Sequence, residues 1–121
     1  VAAVWTRALV GCRFSLFDKQ PGEIGPQETR VVVRALQAAG LHFLDLSSGG
    51  VFKPWFGQPR GIGQWVKTHT ALPVIVAGDL VTPQDAERAI AEGHGDVAAI
   101  GRAALADPQW AELARATLDQ R

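Results

Sequence analysis

Pro73-Val74-Ile75-Val76-Ala77-Gly78-Asp79-Leu80-Val81-Thr82-Pro83-Gln84-Asp85 holds a strand, a turn and a helix start in one short stretch. Val74 to Ala77 is apolar without alternation, the pattern of a strand covered on both faces, as strands of parallel sheets are. Gly78, Asp79 and Leu80 then turn the chain. Thr82 predicts a helix cap, with Asp85 three residues on to return the hydrogen bond, and Pro83 suits the first helical position. A buried strand that passes through a short turn into a well-capped helix is one βα unit of an α/β protein.

The same unit recurs on either side. Upstream, a strand is expected over Ala8 to Phe14 and a helix over Pro26 to Ala39, where Val32, Leu36 and Ala39 recur at helical spacing before Gly40. A second strand, Phe43 to Leu46, leads through a glycine-rich loop to a helix expected near Pro59 to His69, with Ile62, Trp65, Val66 and His69 on one face. Downstream, Gly93 and Gly95 close the capped helix, and Val97 to Ile100 forms a fourth strand. Asp107 and Pro108 start a last helix reaching about Leu118. Four βα units make half of an eight-fold barrel, so the fold class expected is α/β, the C-terminal half of a (β/α)8 TIM barrel, in a single partial domain over residues 1–121. Val1 to Trp5 reads as the end of a preceding helix. With Val1 first and no methionine in the sequence, the chain is expected to be a piece of a longer one.

Composition narrows the function. Twelve basic and twelve acidic residues are scattered rather than blocked, which argues against nucleic acid or an anionic membrane as partner. No apolar run approaches the roughly 20 residues of a membrane span. The N-terminus carries no secretion pattern, and the single Cys12 excludes an internal disulfide, so a cytoplasmic setting is expected. His42, His69 and His94 share no metal-ligand spacing and are read as structural, while Cys12 alternates with Arg13 and is assigned no chemistry.

Chemistry concentrates after the third and fourth strands. In a barrel, active groups gather at the C-terminal strand ends, and phosphate is commonly held by the loops after the last two strands. Gly78 and Gly101 occupy those two positions. A glycine lets backbone amides approach an anion, each loop runs into a helix start, and Arg102 adds a planar fork that suits phosphate. The plain alternative is that the glycines serve tight turns and Arg102 is a solvated surface residue.

Four stretches now carry a resemblance. They are Val10-Gly11-Cys12-Arg13-Phe14-Ser15, Ala39-Gly40-Leu41-His42-Phe43-Leu44-Asp45-Leu46-Ser47, Leu72 to Asp79, and Ile100-Gly101-Arg102-Ala103-Ala104-Leu105-Ala106-Asp107-Pro108. In this order and spacing the chain resembles the old yellow enzyme family, the NADH:flavin oxidoreductases, with the last stretch the most specific. The resemblance implies an FMN-dependent NAD(P)H oxidoreductase of the ene-reductase type. NADH or NADPH gives hydride to the flavin, and the flavin passes it to an activated alkene. It implies that Arg13, on the fifth barrel strand, contacts the flavin ring, and that Gly78, Asp79, Gly101 and Arg102 hold the FMN phosphate, Asp79 through its backbone amide. The loop Ser48 to Gly57 corresponds to the segment bordering the space over the flavin, which makes Trp55 and Phe56 substrate-pocket candidates; a packing cluster is the equal alternative.

The family's carbonyl-binding pair and tyrosine proton donor belong to the half of the barrel that precedes this chain, which contains no tyrosine. No catalytic residue is therefore assigned. The expected partners are a small-molecule substrate and the N-terminal half of the barrel, with a homo-oligomer compatible with both, and the chain alone is expected to be inactive. Two other readings stay open: a non-redox phosphate-binding barrel of the isomerase or lyase kind, and a dimerising half-barrel with a binding function only.

Overall fold

The computed structural model describes residues 7–16 and 24–120. The expected helix end at Val1 to Trp5 lies outside them. Along the described chain run β1 (Gly11–Ser15), α1 (Pro26–Ala38), β2 (Phe43–Ser47), α2 (Ile62–Lys67), β3 (Val74–Ala77), α3 (Pro83–Ala91), β4 (Val97–Ala98), α4 (Arg102–Ala106) and α5 (Trp110–Asp119). The four strands form one sheet in the order β1-β2-β3-β4, every neighbouring pair parallel.

Register divides the sheet into two unlike faces, because successive side chains of a strand point to opposite sides. Cys12, Leu44 and Val74 stand in line, as do Phe14, Leu46, Val76 and Ala98. This face is the core. Leu44, Leu46, Val74 and Val76 are essentially inaccessible and pack with Val33 of α1, Ile62, Trp65 and Val66 of α2, and Ala89 of α3. Each such Val, Leu or Ile side chain contributes about 1.5–3 kcal/mol by leaving water. The opposite face carries the row Arg13, Asp45, Ile75 and Val97, none of them fully buried, and Val97 is half exposed. An α/β sheet with helices on one side is thus observed. Four strands in open order do not by themselves close a barrel.

Several boundaries move, each for a local reason. β1 begins at Gly11 rather than Ala8 because pairing with β2 starts there, and the amide of Val10 donates to Nδ1 of His42 at 2.8 Å. In α1 the face turned to the core runs through Thr29 and Val33, while Val32 stays partly exposed; three consecutive valines hide which one faces inward. α2 starts at Ile62, since Gly61 donates its amide to the Gln64 side chain, and stops at Lys67, leaving His69 beyond it. β4 is cut to Val97–Ala98. α4 starts directly after Gly101, where a helix start is expected, and ends at Ala106 as an element separate from α5. Asp107 does not cap α5 directly: its carboxylate accepts from the amide of Gln109, which itself precedes the helix.

The expected cap of α3 is present in full. Thr82 Oγ1 accepts from the Asp85 amide at 3.1 Å, and Asp85 Oδ2 accepts from the amides of Thr82 and Val81. The hydrogen bond from the Thr82 amide leads in holding the Asp85 carboxyl below its ordinary range. The box is therefore complete at neutral pH and is lost as pH falls through that lowered value. Thr82→Ala is expected to cost about 1 kcal/mol in a urea melt at pH 7. The difference should shrink in acid.

Candidate functional site

Because Ser47 registers with Ala77, the next residues, Ser48 and Gly78, leave the sheet side by side. The amide of Ser48 donates to the Ala77 carbonyl at 3.0 Å, and the amide of Val51 donates to that of Gly78 at 3.0 Å. Gly78 has φ +147°, and a Cβ there would stand 2.7 Å from both the carbonyl oxygen and the hydroxyl of Ser48. Glycine at 78 is thus required by the neighbouring loop. Gly101 differs: a Cβ on it would meet nothing within 4 Å, and its φ is negative. No packing contact among the described residues requires a glycine there.

The loops after β2, β3 and β4 enclose a cleft of about 330 Å³ at the C-terminal ends of these strands, lined among others by Ser48, Gly78, Asp79, Val81, Gly101 and Arg102. Four of the five residues expected to hold a cofactor are therefore brought together. The amides of Arg102 and Ala103, in the first turn of α4, have no partner within that helix. The loop between β3 and α3 is fixed on its far side, where the indole of Trp110 donates to the Val81 carbonyl at 2.8 Å and the Asp85 carboxylate accepts from the amides of Val81 and Thr82.

Asp79 and Arg102 form a pair that the sequence did not suggest. Arg102 Nη2 donates to Asp79 Oδ1 at 2.8 Å, and the two side chains are 55% and 86% exposed, Asp79 the less. Asp79 has φ +56°, a left-handed conformation that Asp and Asn tolerate better than most residues. That geometry turns its carboxylate toward the neighbouring loop. The Asp79 carboxylate is thus held against Arg102, and both residues line the cleft.

Arg13 does not line the cleft. It lies on β1, exposed, on the open face of the sheet and beside Asp45 in register. It has no ion pair among the described residues, and the buried Oδ1 of Asp45 has no hydrogen-bond partner there either. Trp55 and Phe56 also lie off the cleft. Trp55 is buried in the core with its ring 5.4 Å from that of Trp65 and 5.2 Å from that of Phe56, whereas Phe56 is 39% exposed.

The histidines have structural surroundings. His42 accepts from Val10, and His94 is buried edge-on against Phe52 and contacts Glu92 at 3.3 Å. His69 packs on Trp65 with its pKa lowered, by desolvation first and then by nearby arginines. No metal-binding group of side chains occurs among the described residues. Ser48 is the site residue that sequence reasoning left among the loop residues. Its signal was positional: it follows β2 at the point where Gly78 follows β3.

The model of the family described as NADH:flavin oxidoreductase / NADH oxidase matches residues 1–121. Among curated relatives, an NADH oxidase of Thermoanaerobacter brockii is 31% identical over 116 residues, covering 88% of this chain and 18% of that protein. An NADH:fumarate oxidoreductase of Klebsiella pneumoniae (strain 342) is 28% identical over 111 residues, covering 85% of this chain and 12% of its own length. The chain thus spans less than a fifth of either relative.

Proposed function

Since the chain belongs to the NADH:flavin oxidoreductase / NADH oxidase family, we propose that it supplies the FMN phosphate site of an FMN-dependent NAD(P)H oxidoreductase. In that protein it would be the C-terminal half of a (β/α)8 barrel, strands 5 to 8. The observation that carries the proposal is the meeting of Gly78, Gly101 and Arg102 in one cleft at the C-terminal sheet end. The residues present fit a phosphate. Gly101 leaves its side of the cleft open, the first-turn amides of α4 are available as donors, and Arg102 presents a largely exposed guanidinium.

When bound there, FMN would supply a two-electron relay between a reduced nicotinamide and an acceptor. This chain's own part would be to hold and orient. Arg102 and the amides near Gly101 would grip the phosphate, and Gly78 would keep the loop of Ser48 against the cleft. Arg13 offers a fixed positive charge on the open sheet face, where a ring edge can use it. Its lack of an ion pair among the described residues supports this role over that of a structural salt bridge, the arrangement that would favour a non-redox isomerase or lyase. Phe56 borders the acceptor's space, with the buried Trp55 as its support.

The acceptor proposed is an activated alkene. The Klebsiella relative's name couples NADH to fumarate, itself an alkene flanked by carboxylates, and so supports that class. NADH is the reductant both relatives name, and NADPH is the alternative donor. The other half of the barrel would cover the face that carries Arg13, Asp45, Ile75 and Val97 and bring the carbonyl-binding and proton-donating groups. A cytoplasmic setting suits a chain whose only cysteine is Cys12.

The whole protein is expected to purify yellow and to be bleached by NADH or NADPH under nitrogen, recovering its colour when an activated alkene is added. A preparation that stays colourless after incubation with FMN overturns the proposal.

A further inference from the structure

We propose that the carboxylate of Asp79 weakens the hold of the anion cleft on any phosphate, by competing with it for the guanidinium of Arg102. The cleft would then reject free inorganic phosphate and hold a phosphate only when the rest of the ligand adds contacts of its own. The proposal rests on the reading of this cleft as the FMN phosphate site and deepens it.

The argument begins with charge. Among the described residues lining the cleft, Arg102 is the single cation and Asp79 the single anion, so these side chains sum to zero. They are joined directly, Arg102 Nη2 to Asp79 Oδ1 at 2.8 Å. A phosphate that takes the guanidinium must displace the carboxylate or share the fork with it at close range, like charge against like.

Magnitudes decide the sign. An exposed ion pair is close to neutral in its net effect, so the loss of whatever orientation Asp79 gives Arg102 costs little. Repulsion between a carboxylate and a phosphate a few ångströms apart is larger. Removing the carboxylate should therefore tighten phosphate binding. The backbone singles out the residue as well: Asp79 holds φ +56°, and Asn adopts that conformation at least as readily. Asp79→Asn thus removes the charge and leaves the turn.

The experiment is titration calorimetry on the whole protein and its Asp79→Asn variant with three probes: inorganic phosphate alone, FMN, and riboflavin, which has the ring and no phosphate. Asp79→Asn is expected to bind both inorganic phosphate and FMN about tenfold more tightly, with riboflavin unchanged and the gain shrinking as salt is raised. Weaker binding of FMN or phosphate would show that Asp79 positions Arg102, and equal affinities would show that it does neither; each result overturns the proposal. If neither flavin binds either variant while inorganic phosphate still responds to the substitution, the flavin reading fails and the competition stands. If none of the three probes binds Asp79→Asn, the competition fails as well. Asp79→Gly, which the left-handed backbone also accepts, removes the same carboxylate should the Asn variant fold poorly.

Discussion

Replacing Gly63 by alanine is expected to lower the stability of the protein by about 3 kcal/mol or more, beyond the usual range for overpacking a core. Gly63 lies in the first turn of α2, fully buried, and a Cβ there would run into the carbonyl oxygen of His94 and crowd Val76 Cγ1 at 2.9 Å. The obstacle is backbone, so no side-chain rotation relieves it. α2 has to move off the connection between α3 and β4, and Trp65 and Val66 would move with it. Chemical denaturation with an unchanged m-value and a lowered midpoint is the reading to look for. Gly101→Ala is the comparison. With nothing within 4 Å of its new Cβ, it should stay within about 0.5 kcal/mol of the parent in the same measurement.

Arg102→Ala is expected to weaken FMN binding about 10- to 100-fold, the weight of a charge-assisted hydrogen bond of about 1.5–3 kcal/mol. Riboflavin affinity should stay as it was, because Arg102 meets only the phosphate end. Fluorescence titration of both ligands checks this, since flavin emission changes on binding. A parallel loss for riboflavin would mean that the substitution disturbs the ring site and that the cleft is not where the phosphate sits. The side chain is 86% exposed and its ion pair contributes little to folding, so unfolding should be nearly unaffected.

The parts of the fold set by local chemistry are legible in the sequence. Val74 to Ala77 was placed to the residue, and the Thr82, Pro83 and Asp85 signature gave the start of α3, because a buried strand and a capping box are each encoded within a few neighbours. The extent of α4 is not legible in the sequence, for the opposite reason. This helix is a single short turn whose Leu105 is 84% exposed, so it has no apolar face from which a helical period could be recognised. Trp55 could not be assigned from a loop of three aromatics, because only the position of Trp65 on α2 decides that it faces inward.

The site divides in the same way. Gly78 and Gly101 were equivalent as letters after strands, and the register that puts Ser48 beside one of them separates a glycine required by packing from one that is not. The pairing of Asp79 with Arg102 joins residues far apart in the chain, through a left-handed backbone that no pattern of residue types announces.

The bond from the Trp110 indole to the Val81 carbonyl also gives the cleft an optical consequence. Indole emission depends on the polarity and hydrogen bonding around its ring, and Val81 is part of the cleft wall. Trp55 and Trp65 meet edge to face in the interior and are not among the residues of that wall. Trp110 is therefore the built-in chromophore among the described residues that a ligand moving this loop would perturb. A flavin seated nearby, absorbing where tryptophan emits, would darken it by energy transfer, so the arrival of the ligand can be followed by light without any added label.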